Sequence, residues 1–253
     1  MDLGLTDRVI LVTGASRGLG RAGAAALVAE GARVVLAARD AERLADEVAA
    51  IGADRCVGVP ADLTDPTAAE RLVAAAIGRY GRIDGALISC GGPPPGGPLE
   101  LTDDEWRTGF ESVFLGPVRV ARAVAAAIGE EGGALAFVLS SSVREPIAGL
   151  AASNGLRPGL AGVAKQLSDE LAPRGIRVNG LLPGRIDTDR VRLLDARSGR
   201  AETVRRREEA AIPLGRYGDP VEFGMVAAFL LSPAASYLTG VMLPVDGGKR
   251  RSF

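Results

Sequence analysis

Arg8-Val9-Ile10-Leu11-Val12-Thr13-Gly14-Ala15-Ser16-Arg17-Gly18-Leu19-Gly20 is the stretch on which the fold turns. A β-branched run at 8–13 leads into three spaced glycines. These open an alanine-rich helical stretch at 18–30, and Gly31 follows where a helix C-terminus favours glycine. Glycines let the backbone turn tightly and come close to a phosphate. The start of the helix adds free N–H groups and the positive end of a dipole. A glycine triplet alone says little. Its place between the first strand and the first helix gives it weight.

Outward from this unit the alternation continues. Residues 33–38 read as a second strand, 41–51 as a second helix and 55–59 as a third strand. Asp65 and Pro66 read as N-cap and first-turn proline of a helix to about residue 80. Residues 84–88 form a fourth strand, and the loop 91–98 (GGPPPGGP) can continue neither strand nor helix. Thr102-Asp103-Asp104-Glu105 has capping-box spacing and opens a long helix to about residue 128. Strands at 134–139, 176–182 and 241–245 alternate with helices at 154–172 and 220–231. Such alternation implies right-handed βαβ units and a parallel sheet covered on both faces. Several strands are apolar at nearly every position, as a doubly covered sheet requires. No internal repeat or long linker interrupts the pattern. The expectation is a single α/β domain over 1–253, doubly wound around a mostly seven-stranded parallel sheet. The charged region 189–211 reads as an excursion on the substrate side.

The 253 residues are 47% apolar and 24% charged, with a net charge of −1, so a sizeable core is available and no nucleic-acid surface is indicated. Arg205-Arg206-Arg207 runs straight into Glu208-Glu209 and reads as a solvated helix face. No apolar run reaches the roughly 18 residues of a membrane span, and the start lacks the features of a signal peptide. A soluble cytoplasmic protein is expected. Cys56 and Cys90 match no metal or redox spacing and read as buried free thiols. The chain has no histidine. That removes the commonest general base and the commonest zinc ligand, and no metal site is expected.

Thr13-Gly14-x-x-x-Gly18-x-Gly20 has the spacing of the short-chain dehydrogenase/reductase family, which this chain resembles over about residues 6–248. Ala61-Asp62-Leu63 is similar to the family's adenine-contacting segment. Pro183-Gly184-Arg185-Ile186-Asp187-Thr188 is similar to its Pro-Gly-x-x-x-Thr segment near the nicotinamide. Arg177-Val178-Asn179 and Leu238-Thr239-Gly240 with Asp246-Gly247-Gly248 also match. The resemblance implies a Rossmann-type fold and a dinucleotide held by Gly14, Ser16, Arg17, Gly18, Leu19, Gly20, Asp62, Leu63, Gly91, Pro183, Gly184, Ile186 and Thr188. It also implies a homo-oligomer, dimer or tetramer. An acid at the end of the second strand would favour NAD. Here Arg39 stands there, able with Arg17 to hold a 2′-phosphate, so NADP(H) is expected rather than NAD(H). The alternative is that Arg39 pairs with Asp40 or Glu42.

The family's catalytic positions are filled differently. Counting back from Arg177-Val178-Asn179 puts Ser153 at the family's tyrosine and Arg157 at its lysine, which also binds the cofactor's ribose. Tyr80, Tyr217 and Tyr237 lie elsewhere in the sequence. Ungapped counting assigns the family's serine to Ser140, whereas a small deletion favours Ser141 or Ser142. The family's relay asparagine aligns with Val113, and its Asn-Ala-Gly with Ser89-Cys90-Gly91. Lys165 is a candidate replacement cation but reads as solvent-facing. Arg144 and Glu145 stand either at the substrate or in a loop salt bridge.

The implied function is NADP(H)-dependent reduction of a small or medium carbonyl, or oxidation of an alcohol, with a non-standard active site. The alternatives are a dinucleotide-binding protein with little redox activity, and a non-redox lyase or isomerase on the same scaffold.

Overall fold

The computed structural model describes residues 2–197 and 199–251. Its strands are Val9–Thr13 (β1), Arg33–Ala38 (β2), Cys56–Pro60 (β3), Gly85–Ile88 (β4), Gly133–Val138 (β5), Ile176–Pro183 (β6) and Met242–Val245 (β7). Its helices are Gly18–Ala29 (α1), Ala41–Ile51 (α2), Ala68–Tyr80 (α3), Asp103–Phe110 (α4), Gly116–Ala127 (α5), Ala151–Leu171 (α6), Asp189–Ala196 (α7), Ala201–Ala210 (α8) and Pro220–Leu231 (α9). The strands form one parallel sheet in the order β3-β2-β1-β4-β5-β6-β7. Strand order reverses between β1 and β4. The loops leaving their carboxyl ends therefore part and open a crevice.

Alternation along the strands splits the core into two layers. Ile10, Val12, Val34 and Leu36 pack with Leu27 of α1, Leu44 of α2 and Phe223 of α9. Val9, Leu11 and Val35 pack on the other face with Leu72 of α3, Val124 of α5 and Leu160 of α6. Both faces are covered, which is why the strands read as continuous apolar runs.

Local chemistry fixes several boundaries. The Asp40 carboxylate accepts from Arg43 N and caps α2. Thr102 and Glu105 form the expected capping box. Asp219 and Glu222 form a second one, with Pro220 in the first turn of α9. Other expectations need correction. Asp65 does not cap α3. Its carboxylate accepts from Thr67 N and Thr67 Oγ1 in a turn of its own, and the helix starts at Ala68. The long fourth helix is broken by a π-turn at Glu111–Leu115, with Val113 buried in it. Pro117 supplies no N–H for the Val113 carbonyl, and Gly116 lies so close to Leu63 that a Cβ would sit 2.5 Å from its carbonyl oxygen. The described residues of 189–211 contribute α7 and α8 and no strand. Cys56 is buried, which with nearby Asp54 pushes its thiol up to about 11, whereas Cys90 is only half-buried.

The two loops at the carboxyl ends of β4 and β5 are joined. Gly96 N donates to Gly149 O at 2.8 Å, Ala151 N donates to Gly96 O at 3.0 Å, and Gly96 and Leu150 form a parallel bridge. No described helix is long and apolar enough to cross a membrane.

Candidate functional site

The glycine loop leaves β1 at the crevice. Gly14 has φ +61°, and a Cβ there would lie 2.8 Å from Ser89 O. A Cβ at Gly20 would lie 2.3 Å from Gly14 O. Both positions thus demand glycine. Thr13 Oγ1 donates to Ser89 O and accepts from Ser89 N, tying the loop to the end of β4. Arg17, extended at the N-cap of α1, makes no side-chain cap there. From the far side, the Thr188 methyl carbon comes within 3.6 Å of a Gly18 Cβ position, and Thr188 Oγ1 caps α7. The segment after β6 therefore folds against the loop.

At the end of β2, Ser16, Arg17, Arg39, Asp40 and Arg43 line a cleft of about 350 Å³. Arg39 is exposed and pairs with no carboxylate among the described residues. Asp40 instead caps α2, and neither it nor Glu42 forms an ion pair with Arg39. Arg43 was not among the expected residues. Its Nε donates to Ser16 O at 3.0 Å, and its position four residues after Arg39 was the available signal. Asp62 Oδ1 accepts from Thr64 N and Thr64 Oγ1. Gly184 N donates to Val245 O as the chain leaves Pro183. Ile186 is buried with its side chain against Gly218.

At the ends of β4 and β5 the structure brings Ser142, Ser153 and Arg157 together. β5 stops at Val138 rather than 139, and the three serines lie beyond it. Ser140 is extended, and its hydroxyl accepts from Ser142 N. The 3-10 turn Ser141–Val143 then buries Ser142, whose Oγ lies 3.0 Å from Ser153 Oγ. Neither Ser140 nor Ser141 makes this contact. Ser153 itself is buried on the first turns of α6, which begins at Ala151 rather than 154. Arg157, one turn on, is 6% exposed. Its Nη1 donates to Val138 O at 2.9 Å and its Nη2 to Gly91 O at 3.5 Å. Asn154 holds the neighbouring loop through both atoms of its amide, to Ile147 N and Ile147 O, a clamp the sequence reading missed.

The tyrosines are elsewhere. Tyr80 donates to Arg55 O, and Tyr237 is fully exposed. Tyr217 is buried and gives its hydroxyl to Asp195; burial first and that hydrogen bond second push its pKa up. Lys165 turns outward to Asp169, and Lys249 pairs with Glu208. Arg144 donates to Met242 O.

The family model for enoyl-(acyl carrier protein) reductase matches residues 14–250. The chain is 35% identical to 3-oxoacyl-[acyl-carrier-protein] reductase FabG of Salmonella typhimurium, over 95% of this chain and 96% of that protein. It is 33% identical to L-rhamnose 1-dehydrogenase (NAD(P)(+)) of Azotobacter vinelandii, over 96% and 97%. The structure matches L-sorbose reductase of Gluconobacter frateurii, solved with NADPH and L-sorbose, with a TM-score of 0.93 at 27% identity over the full length of both chains. Glycine loop, strand order and these relatives agree: the chain belongs to the short-chain dehydrogenase/reductase family of oxidoreductases and is similar to its ketoacyl reductases.

Proposed function

We propose that the protein is an NADP(H)-dependent oxidoreductase that reduces a carbonyl, or oxidises an alcohol, through a hydroxyl pair in place of the family's tyrosine. The observation that carries the cofactor assignment is the cleft of Arg17, Arg39 and Arg43, in which Arg39 has no carboxylate partner among the described residues. A 2′-phosphate is the ligand such a cleft fits. The glycine cradle fits the rest: a Cβ at Gly14 or Gly20 would strike the backbone oxygens of Ser89 or Gly14, so only glycine lets the turn close tightly enough to present its N–H groups to a pyrophosphate. NADPH supplies the hydride when bound.

The remaining work falls to this chain's side chains. Gly14, Ser16, Arg17, Gly18, Leu19 and Gly20 hold the pyrophosphate at the start of α1. Asp62 and Leu63 flank the adenine. Gly91, Pro183, Gly184, Ile186 and Thr188 frame the nicotinamide end, where Arg157 donates to ribose hydroxyls. Ser142 and Ser153 share one hydrogen bond, and either can donate. One hydroxyl holds the substrate oxygen while the other relays a proton from water. A serine is a far weaker acid than a phenol. The fixed charge of Arg157 beside the pair favours the ionised hydroxyl, but Arg157 cannot itself give up a proton. Exposed Phe110, stacked on Phe114, and exposed Met225 of α9 support assembly as a homo-oligomer.

Titration with NADPH and NADH tests the assignment. NADPH should bind at least about tenfold more tightly, and Arg39→Ala should erase the preference. Binding of neither nucleotide would sink the proposal. Ser153→Ala should lower kcat by roughly 10- to 100-fold while leaving the NADPH dissociation constant unchanged. The tyrosine-free site favours one second reading, a dinucleotide-binding protein with little redox activity, or a lyase or isomerase on the same scaffold. Tight NADPH binding with no NADPH consumption across a carbonyl screen would select it.

A further inference from the structure

Two guanidinium groups press on the same short stretch of backbone. Arg157 donates to Gly91 O, and Arg190 on α7 donates to Pro93 O at 3.1 Å. Between them lies Gly92, where a Cβ would sit 2.6 Å from Arg190 Cζ. The Arg190 guanidinium is therefore laid flat on the loop leaving β4. Arg157 is more than nine-tenths buried and Arg190 is half-buried. Among the described residues neither pairs with a carboxylate. Their hydrogen bonds go to backbone carbonyls, which leave each group's full charge uncompensated.

Elsewhere in this chain arginines do find acids. Arg82 and Arg8 meet Asp84, Arg185 meets Asp195 and Arg216 meets Glu222. Arg157 and Arg190 are the exceptions at the crevice, where Arg43 and Arg192 still meet Asp189 and Asp187. Burial, and then the charges of Arg157, Arg197 and Arg17, push the pKa of Arg190 down. A third guanidinium, Arg250, donates to Ser141 O, three residues beyond the Val138 carbonyl that Arg157 holds. This one keeps an acid, since its Nε lies 3.8 Å from Asp246 Oδ2, although neither Nε nor Nη1 makes a hydrogen bond. A buried cation without an acid is costly, and two of them against one loop repel each other. An anion in the crevice relieves both costs.

We propose that Arg190, backed by Arg157, is a subsite for the carboxylate of the substrate, which makes the substrate a short oxo acid or the matching hydroxy acid. This rests on the oxidoreductase reading above. Arg17, Arg39 and Arg43 and the glycine loop already provide for the cofactor's phosphates, and Arg43 reaches Asp189, next to Arg190, at 3.9 Å. Arg157 stands beside the Ser142–Ser153 hydroxyl pair, so an anion held here lies close to the carbonyl those hydroxyls would grip. In the reduction NADPH transfers a hydride to the carbonyl carbon and the C=O π bond breaks. The oxygen takes a proton relayed from water through the hydroxyl pair. The products are the hydroxy acid and NADP+.

The test is calorimetric binding of malonate, an unreactive dicarboxylate, against uncharged dimethyl malonate, with and without saturating NADP+. Malonate should bind and the ester should not. Arg190→Gln should weaken malonate by about tenfold or more and change the NADP+ dissociation constant less than about threefold. Arg206→Gln, which removes an exposed charge from α8, should change neither. Should Arg190→Gln fold poorly, Arg190→Lys keeps the charge without the planar fork and should give an intermediate loss. Equal binding of malonate and ester, or no malonate binding beside intact NADP+ binding, would overturn the subsite. So would a tenfold loss of NADP+ affinity in Arg190→Gln, because the arginine would then serve the cofactor's phosphates. Malonate binding that depends on Arg190 in a protein that takes up no nucleotide would keep the subsite and remove the redox reading.

Discussion

Gly20→Val is expected to reduce NADPH affinity by at least about two orders of magnitude, on the order of 3 kcal/mol. The first added carbon alone would lie 2.3 Å from Gly14 O and 2.8 Å from Thr13 O. These are backbone atoms, so the loop cannot yield by turning a side chain. It must lift from α1, and its N–H groups then no longer converge with the start of the helix. Gly78→Ala on α3, where nothing lies within 4 Å of the new carbon, is the control and should leave the affinity unchanged. Titration by fluorescence reads both. Unaltered binding in Gly20→Val would mean that the loop is not the cofactor cradle.

Asp84→Ala is expected to cost about 3 kcal/mol of folding stability and to lower Tm by roughly 6–12 °C, with NADPH affinity intact. Asp84 is 5% exposed and sits just before β4, at the sheet edge opposite the crevice. Its carboxylate accepts Val9 N at 2.8 Å, Arg8 Nη1 at 2.8 Å and Arg82 Nη2 at 2.6 Å. Alanine would leave a buried N–H without an acceptor and two guanidiniums with only Glu131, which is mostly exposed. Asp84→Asn keeps an acceptor for Val9 and should lose less. A thermal melt separates the two variants, and equal loss in both would point to charge alone as the stabilising factor.

The fold was legible because its punctuation is local. Asp40 before α2, the Asp219-Pro220 pair before α9 and the Thr102–Glu105 box each satisfy backbone groups within four residues, and such pairs stand in plain sequence. Asp65 shows the limit. The same residue type can cap a helix or close a turn on Thr67, and only the packed chain decides. In the proposed cofactor cleft Arg39 was read from the sequence and Arg43 was not, because Arg43's place depends on α2 starting just after Asp40. The hydroxyl pair was half legible. Ser153 follows from counting, but its partner depends on a turn after β5 that Ser140 caps, and counting had favoured Ser140 itself. Arg190 was legible only as part of the charged stretch 189–211 on the substrate side, since nothing local links it to Gly92 nearly a hundred residues earlier.

The bridge between Gly96 and Leu150 has a consequence for anyone exchanging parts between relatives. The two loops it joins arise from different strands, yet each supplies the other's backbone partner. Grafting one of them alone strands an amide and a carbonyl of the other at the mouth of the crevice. The two loops are therefore a matched pair, and a chimera must carry 91–98 and 144–151 together.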